Sequence, residues 1–251
     1  MENHINSKNR LPYVDVAKGI GILLVVLGHN AACEPGSQGA AFIYSFHMPL
    51  FYFLAGLFHN DTKSLVSHVL GKAKSLLLPC VWAFAAWLAV QAITMPDTVF
   101  SSLREIVLGA LYGTGKTLFW GQLWFLTSLF VTTCACHVLL FSGIAKNRRV
   151  RLTIAILLVP VGTLYSPFHL ELYSRGLPWN IDLLPITLVF YLAGTVFPKQ
   201  NSGYLGSASS PYFFASAMAF ALVGAGWSMD WGMDLNIRRY SHWLGSSLVA
   251  A

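Results

Sequence analysis

Charge is what this sequence lacks. Of its 251 residues only 10% are Asp, Glu, Lys or Arg, against about 25% in soluble domains. So few charges cannot cover the surface of a water-soluble fold, and 55% of the residues are hydrophobic. Cysteine is scarce too, at four residues, and says little. Cys80, Cys134 and Cys136 fall inside apolar blocks, where thiols behave as small core residues. On a helix, Cys134 and Cys136 would splay about 200° apart, a poor geometry for sharing a metal. Cys33 closes an Ala-Ala-Cys run that faintly resembles a lipoprotein cleavage site. Asn30, however, stands where an aliphatic residue is expected, and further apolar blocks follow, so the first block reads as a retained helix. The balance of 16 basic against 10 acidic residues gives a net charge of +6. These basic residues are not gathered on one soluble face, as nucleic-acid binding would require. They lie in the short breaks between apolar blocks, where they act as topology signals.

What the sequence does have is long apolar runs. Seven blocks, at about 16–32, 41–58, 76–94, 120–141, 151–166, 182–198 and 211–228, have the length needed to cross about 30 Å of hydrocarbon. An eighth begins near Ser241. Each block must be helical, because lipid offers the backbone no hydrogen-bond partner. The expected fold is therefore all-α, a polytopic bundle of seven or eight spanning helices forming one membrane-embedded domain over residues 1–251. No internal repeat or low-complexity tract is present. Residues 101–112 carry charges between shorter apolar runs and read as a surface-lying amphipathic segment.

With the N-terminus cytoplasmic, that side holds eleven Lys and Arg residues, the cluster Lys146, Arg148, Arg149 and Arg151 among them, and the far side five. The positive-inside rule favours this orientation.

The first two helices carry the chemistry-bearing residues. Lys18 and His29 are eleven residues apart, so helical rotation brings them within about 20° of one line and about 16 Å apart along the axis. Asp15 lies within about 40° of the same line. Ionisable residues inside a membrane usually face the protein interior or a water-filled cavity, although Lys18 can also snorkel to the interface beside Asp15. The second block, from Ser45 to Gly56, adds His47 and Pro49. Proline inside a helix frees a carbonyl and bends the backbone, so irregularity is expected around His47. A short connection favours antiparallel neighbours, which makes an approach of His29 and His47 plausible. Histidine is the usual general base near neutral pH. Haem or metal ligation by this pair is disfavoured, since no further ligand pair has suitable spacing.

The string from Asp15 through Lys18 to Gly28-His29, followed by Phe46-His47-Met48-Pro49-Leu50-Phe51 and Ala55-Gly56, resembles the acyltransferase-3 family, and more closely its branch of fucose 4-O-acetylase-like enzymes. Weaker matches are Lys72-Ala-Lys74 leading to Pro79, Leu123-Trp124-Phe125-Leu126, and Pro178-Trp179-Asn180 ahead of Gly194. The resemblance implies a multi-pass plasma-membrane protein of about ten helices that moves an acyl group, acetyl first among them, from acyl-CoA to a hydroxyl of an extracytoplasmic saccharide. It implies that His29 is the general base or proton relay, with Lys18 matching the family's basic residue eleven positions earlier. Asp15 would orient the site and His47 assist it. Lys72, Lys74, Trp124, Trp179 and Asn180 would bind donor or acceptor, although Lys72 and Lys74 also read as topology signals that touch anionic lipid and Trp124 as an interfacial belt residue. Acetyl-CoA is expected as co-substrate and no metal is expected. Ala55 departs from the family's usual Ser before Gly. Relatives continue beyond the length of this chain, so the domain is expected to be incomplete at its C-terminal side. The rival classes are a transporter whose polar face lines a permeation path, which would call for repeats and paired broken helices, and a non-catalytic membrane subunit.

Overall fold

The computed structural model describes residues 12–30, 37–118, 121–172, 176–196 and 235. The apolar block at 211–228 and the segment beginning near Ser241 lie outside the described residues. Among those described, all regular structure is helical: α1 (Pro12–Gly28), α2 (Gln38–Leu57), α3 (Leu65–Lys72), α4 (Leu78–Thr94), α5 (Pro96–Tyr112), α6 (Trp124–Phe141), α7 (Arg148–Leu172) and α8 (Leu184–Val196). Among the described residues, three stretches are long and apolar enough to cross a membrane: Leu65–Thr94, Gly121–Phe141 and Pro178–Val196.

Local chemistry sets several boundaries. Ser37 and Ser64 cap α2 and α3, their hydroxyls accepting from the Ala40 and Ser67 amides. Between α3 and α4, residues Ala73–Leu77 form a π-helical turn, so the helix runs on from Leu65 to Thr94. Pro79 explains the wider turn: its ring would clash with the carbonyl four residues back, in a helix of ordinary pitch. Pro96 opens α5 at a position that needs no amide, and Gly113 ends it with φ 71°, a left-handed cap that favours glycine. α2, by contrast, continues through Pro49.

α1 and α2 pack as an antiparallel pair. Val14 meets Leu54 and Leu57 at one end, and Gly28 lies against Ile43 and Tyr44 at the other. α8 is the centre of the bundle, flanked by α2, α6 and α7. Its crossing with α2 is unusually close. A Cβ added to Gly56 would run into the Tyr191 carbonyl, and one added to Gly194 into the Phe53 carbonyl. Small residues serve membrane helices this way, because packing rather than water exclusion drives their association. Tyr52, Leu183, Tyr191 and Leu192 are fully buried around this crossing. Hydroxyls stitch the same region: Tyr52 donates to Ser128 Oγ at 2.8 Å, Thr132 and Thr187 pair at 2.7 Å, and Thr133 and Tyr191 at 2.8 Å. Each bond satisfies two groups that lipid could not.

Candidate functional site

His29 follows the last turn of α1 and is exposed. Its neighbour is Tyr44 of α2, whose hydroxyl donates to the Gly28 carbonyl at 2.8 Å and whose ring meets the His29 ring edge-on at 5.9 Å. Tyr44 also meets His47, at 5.5 Å between ring centres. His47 is buried, and its Nδ1 hydrogen-bonds the Ile43 carbonyl. A carbonyl can only accept, so Nδ1 carries a proton. The two histidines expected to approach one another are therefore brought to the same place, with Tyr44 between them. Nothing in the spacing pointed to Tyr44. Its signal was its position, three residues before His47, which puts both on one face of α2.

Lys18 lies at the other end of the pair, its ammonium 5.0 Å from the ring centre of Phe58 just past α2. Asp15 is exposed in the first turn of α1, where a carboxylate suits the helix dipole. Asp15, Lys18, Ile22, Val26 and His29 are all exposed, so among the described residues this stripe of α1 faces out of the bundle. Lys72 is half-buried at the end of α3 and Lys74 is exposed on the π turn.

Trp124, Trp179 and Asn180 gather at the start of α6. Trp124 is buried. Trp179 and Asn180 adopt φ of 56° and 57°, left-handed conformations that asparagine tolerates and tryptophan rarely takes. The strain is held by hydrogen bonds. Trp179 Nε1 donates to the Leu111 carbonyl at 2.7 Å. Asn180 Nδ2 lies within reach of the Gly113 and Trp124 carbonyls and Thr127 Oγ1, at 3.2, 3.3 and 3.4 Å. This amide ties the α5–α6 connection to the turn before α8. The buried carboxylate of Asp182 accepts from the Leu177 amide at 3.2 Å and closes that turn. Ring contacts from Trp124 through Phe125 to Phe51 and Tyr52 join this cluster to α2.

The sequence reading passed over a second histidine group. His59, His68 and His137 are buried together beyond the end of α2. His68 and His137 stack at 3.9 Å, and His59 Nε2 lies 3.3 Å from His137 Nδ1. Burial first, then repulsion from His68 and His137, pushes the His59 imidazole down from its ordinary value to about 3, so it is neutral at physiological pH. Arg151, counted above as a topology signal, closes this end. It donates to the Ala145, Lys146 and Thr195 carbonyls and pairs with Asp61 at 3.9 Å.

A membrane-embedded helical bundle that presents an exposed histidine at one end of a packed helix pair defines a class of membrane protein rather than an activity. The activity class comes from relatives. The acyltransferase domain model of the acyltransferase-3 family matches residues 11–251, and the chain belongs to that family. It is also similar to the nodulation protein NolL of Mesorhizobium japonicum (strain LMG 29417 / CECT 9101 / MAFF 303099), with 26% identity over 246 residues, 91% of this chain. The match covers 58% of that relative's length. No solved structure matches the chain.

Proposed function

We propose that this protein transfers an acetyl group from acetyl-CoA to a hydroxyl of a cell-surface saccharide or its precursor, with His29 as general base. The observation that carries the reading is the placement of His29: exposed, edge-on to Tyr44, and at the opposite end of the α1–α2 pair from Lys18. His29 takes the proton from the acceptor hydroxyl as its oxygen attacks the thioester carbonyl. The C–S bond then breaks, and the CoA thiolate leaves and takes up a proton. His47 assists through the ring contact with Tyr44, and Asp15 orients the Lys18 end. Lys18, Lys72 and Lys74 meet the donor's phosphates. Trp124, Trp179 and Asn180 form the structured wall near the acceptor. The excess of basic residues in the connections facing the N-terminal side supports a cytoplasmic N-terminus in the plasma membrane.

The test is CoA release from acetyl-CoA by membranes carrying this chain with a lipid-linked glycan mixture, comparing wild type with His29→Ala. Release that disappears in the folded variant is the expected result. Release that persists undiminished would remove His29 from the chemistry. A folded wild type that moves substrate across the membrane and releases no CoA would overturn the enzyme reading altogether.

A further inference from the structure

Three separate segments bring His59, His68 and His137 together: the loop after α2, the middle of α3 and the last turns of α6. One nitrogen from each lies within 4.8 Å of the others. The distance between His59 Nε2 and His137 Nδ1 is 3.3 Å, long but within reach of an N–H···N hydrogen bond. It matches the edge of a tetrahedron built on metal–imidazole bonds of about 2.0–2.1 Å, which is about 3.3 Å. The other nitrogen of each of these two rings is held by an oxygen. Tyr191 Oη sits 3.0 Å from His59 Nδ1, and the Lys63 carbonyl accepts from His137 Nε2 at 3.1 Å. His68 Nε2 bonds Thr133 Oγ1 at 3.2 Å. Oxygen partners on the outer nitrogens are how metal-binding histidines are oriented and their tautomers fixed.

We infer that His59, His68 and His137 form a binding site for a divalent transition-metal ion, Zn²⁺ being one of those that an imidazole set suits. Neutral imidazoles suit such an ion, and three of them leave a fourth tetrahedral position for water or another ligand. The facing nitrogens of His59 and His137 are spaced as two ligands of one ion would be. The ring of His68 lies parallel to that of His137, at 7°, whereas the lone pairs of two ligands of one ion must converge in their ring planes. His68 therefore tilts out of the stack on binding. Residues 60–64, which follow His59 in the chain, are exposed. Asp61 is the nearby carboxylate acting on His59, while Lys63 and Lys72 oppose a dication. The ion would clasp the α2–α3 connection to α6 and, through Tyr191, to α8. Nothing in this inference depends on the acyl-transfer reading.

The experiment uses the full chain, purified without a polyhistidine tag in detergent, stripped with chelator and titrated with Zn²⁺ or Co²⁺ alone. The expected results are one ion per chain by elemental analysis and an intense visible Co²⁺ spectrum of tetrahedral type. His59→Gln and His137→Gln should each lose both, His68→Gln should weaken binding at least tenfold, and His29→Ala should bind like wild type. If the glutamine variants fail to elute as folded monodisperse protein, nitrogen hyperfine coupling in the Cu²⁺-loaded wild type decides. Coupling to imidazole nitrogens at one site per chain supports the inference, and its absence overturns it. Wild type that takes up no Co²⁺, or folded His59→Gln and His137→Gln that bind like wild type, would leave the three rings as a hydrogen-bonded cluster and nothing more.

Discussion

Tyr44→Phe separates a positioned catalytic histidine from one that is merely present. The substitution keeps the aromatic ring, and with it the edge contacts to His29 and His47, and deletes the hydroxyl that donates to the Gly28 carbonyl. That bond ties α2 to the residue immediately before His29, so its loss loosens the peptide that carries the imidazole. A single hydrogen bond of this kind is worth about 0.5–1.5 kcal/mol net. If that energy is spent on orienting His29, it appears in the barrier, and at tenfold per 1.36 kcal/mol kcat should fall about 2- to 13-fold. The KM for acetyl-CoA should not move, because Lys18 lies about 16 Å away along α1. Tyr44→Ala also removes the ring contacts, worth about 0.5–1.5 kcal/mol more beyond their area, and should fall further. Steady-state CoA release at varied acetyl-CoA measures both constants, with monodisperse elution in detergent as the folding control. A Tyr44→Phe enzyme with wild-type kcat, or one changed only in KM, would refute the positioning role.

Two structural predictions follow from the packing. Gly56→Ala and Gly194→Ala each drive a methyl into a backbone carbonyl that no side-chain rotation can clear. Each should cost at least the ~1–3 kcal/mol of an overpacked core, read as a lower melting temperature in detergent. Gly19→Ala, which meets nothing within 4 Å, should be neutral or slightly stabilising. Asn180→Ala loses an amide shared among three acceptors and places alanine at φ 57°; about 1–3 kcal/mol of destabilisation is expected, and an unchanged melting temperature would contradict the scaffold role given to this turn.

The parts legible in the sequence are those that lipid dictates. Apolar length located the span Gly121–Phe141 within a residue at each end, and the short connection predicted the antiparallel α1–α2 pair, in which His29 and His47 each contact Tyr44. Helix starts were placed late wherever a polar first turn precedes the apolar run. The block at 76–94 is the rear of a helix that begins at Leu65, because Ser67, Lys72 and Lys74 hide its front from a hydropathy reading. The bend expected at Pro49 did not interrupt α2. Trp179 and Asn180 stand out through the family resemblance of their segment, but a left-handed backbone at both is not written in the composition of that loop. The second histidine group was out of reach for a different reason: spacing along the chain finds ligand pairs on one helix, and His59, His68 and His137 come from three segments. Their one sequence signal was topological, since alternating helix directions put the residues after the second block and at the end of the fourth on the same side.

That topology places a constraint on any chemistry in this fold. α2 runs from His47 to its end at Leu57 over ten residues, about 15 Å of helix, and α1 runs beside it in the opposite sense from Lys18 to His29. The exposed histidine and the basic residues are thus fixed at opposite ends of a rigid pair, locked by Val14 at one end and Gly28 at the other. Sliding α1 along α2 would break the hydroxyl bond of Tyr44 and the cation–ring contact of Lys18 together. Because the pair cannot shorten, the acyl-CoA donor of the proposed function, if anchored by its phosphates at the Lys18 end, would either extend its thioester along the α1 stripe to His29 or hand the acyl group to an intermediate carrier. The first route needs a residue-lined path over Ile22 and Val26, whose side chains are apolar and exposed. They suit the uncharged arm of an acyl-CoA far better than its phosphates. The polarity of the stripe, charged at one end, apolar in the middle and imidazole at the other, therefore favours the extended donor over the relay.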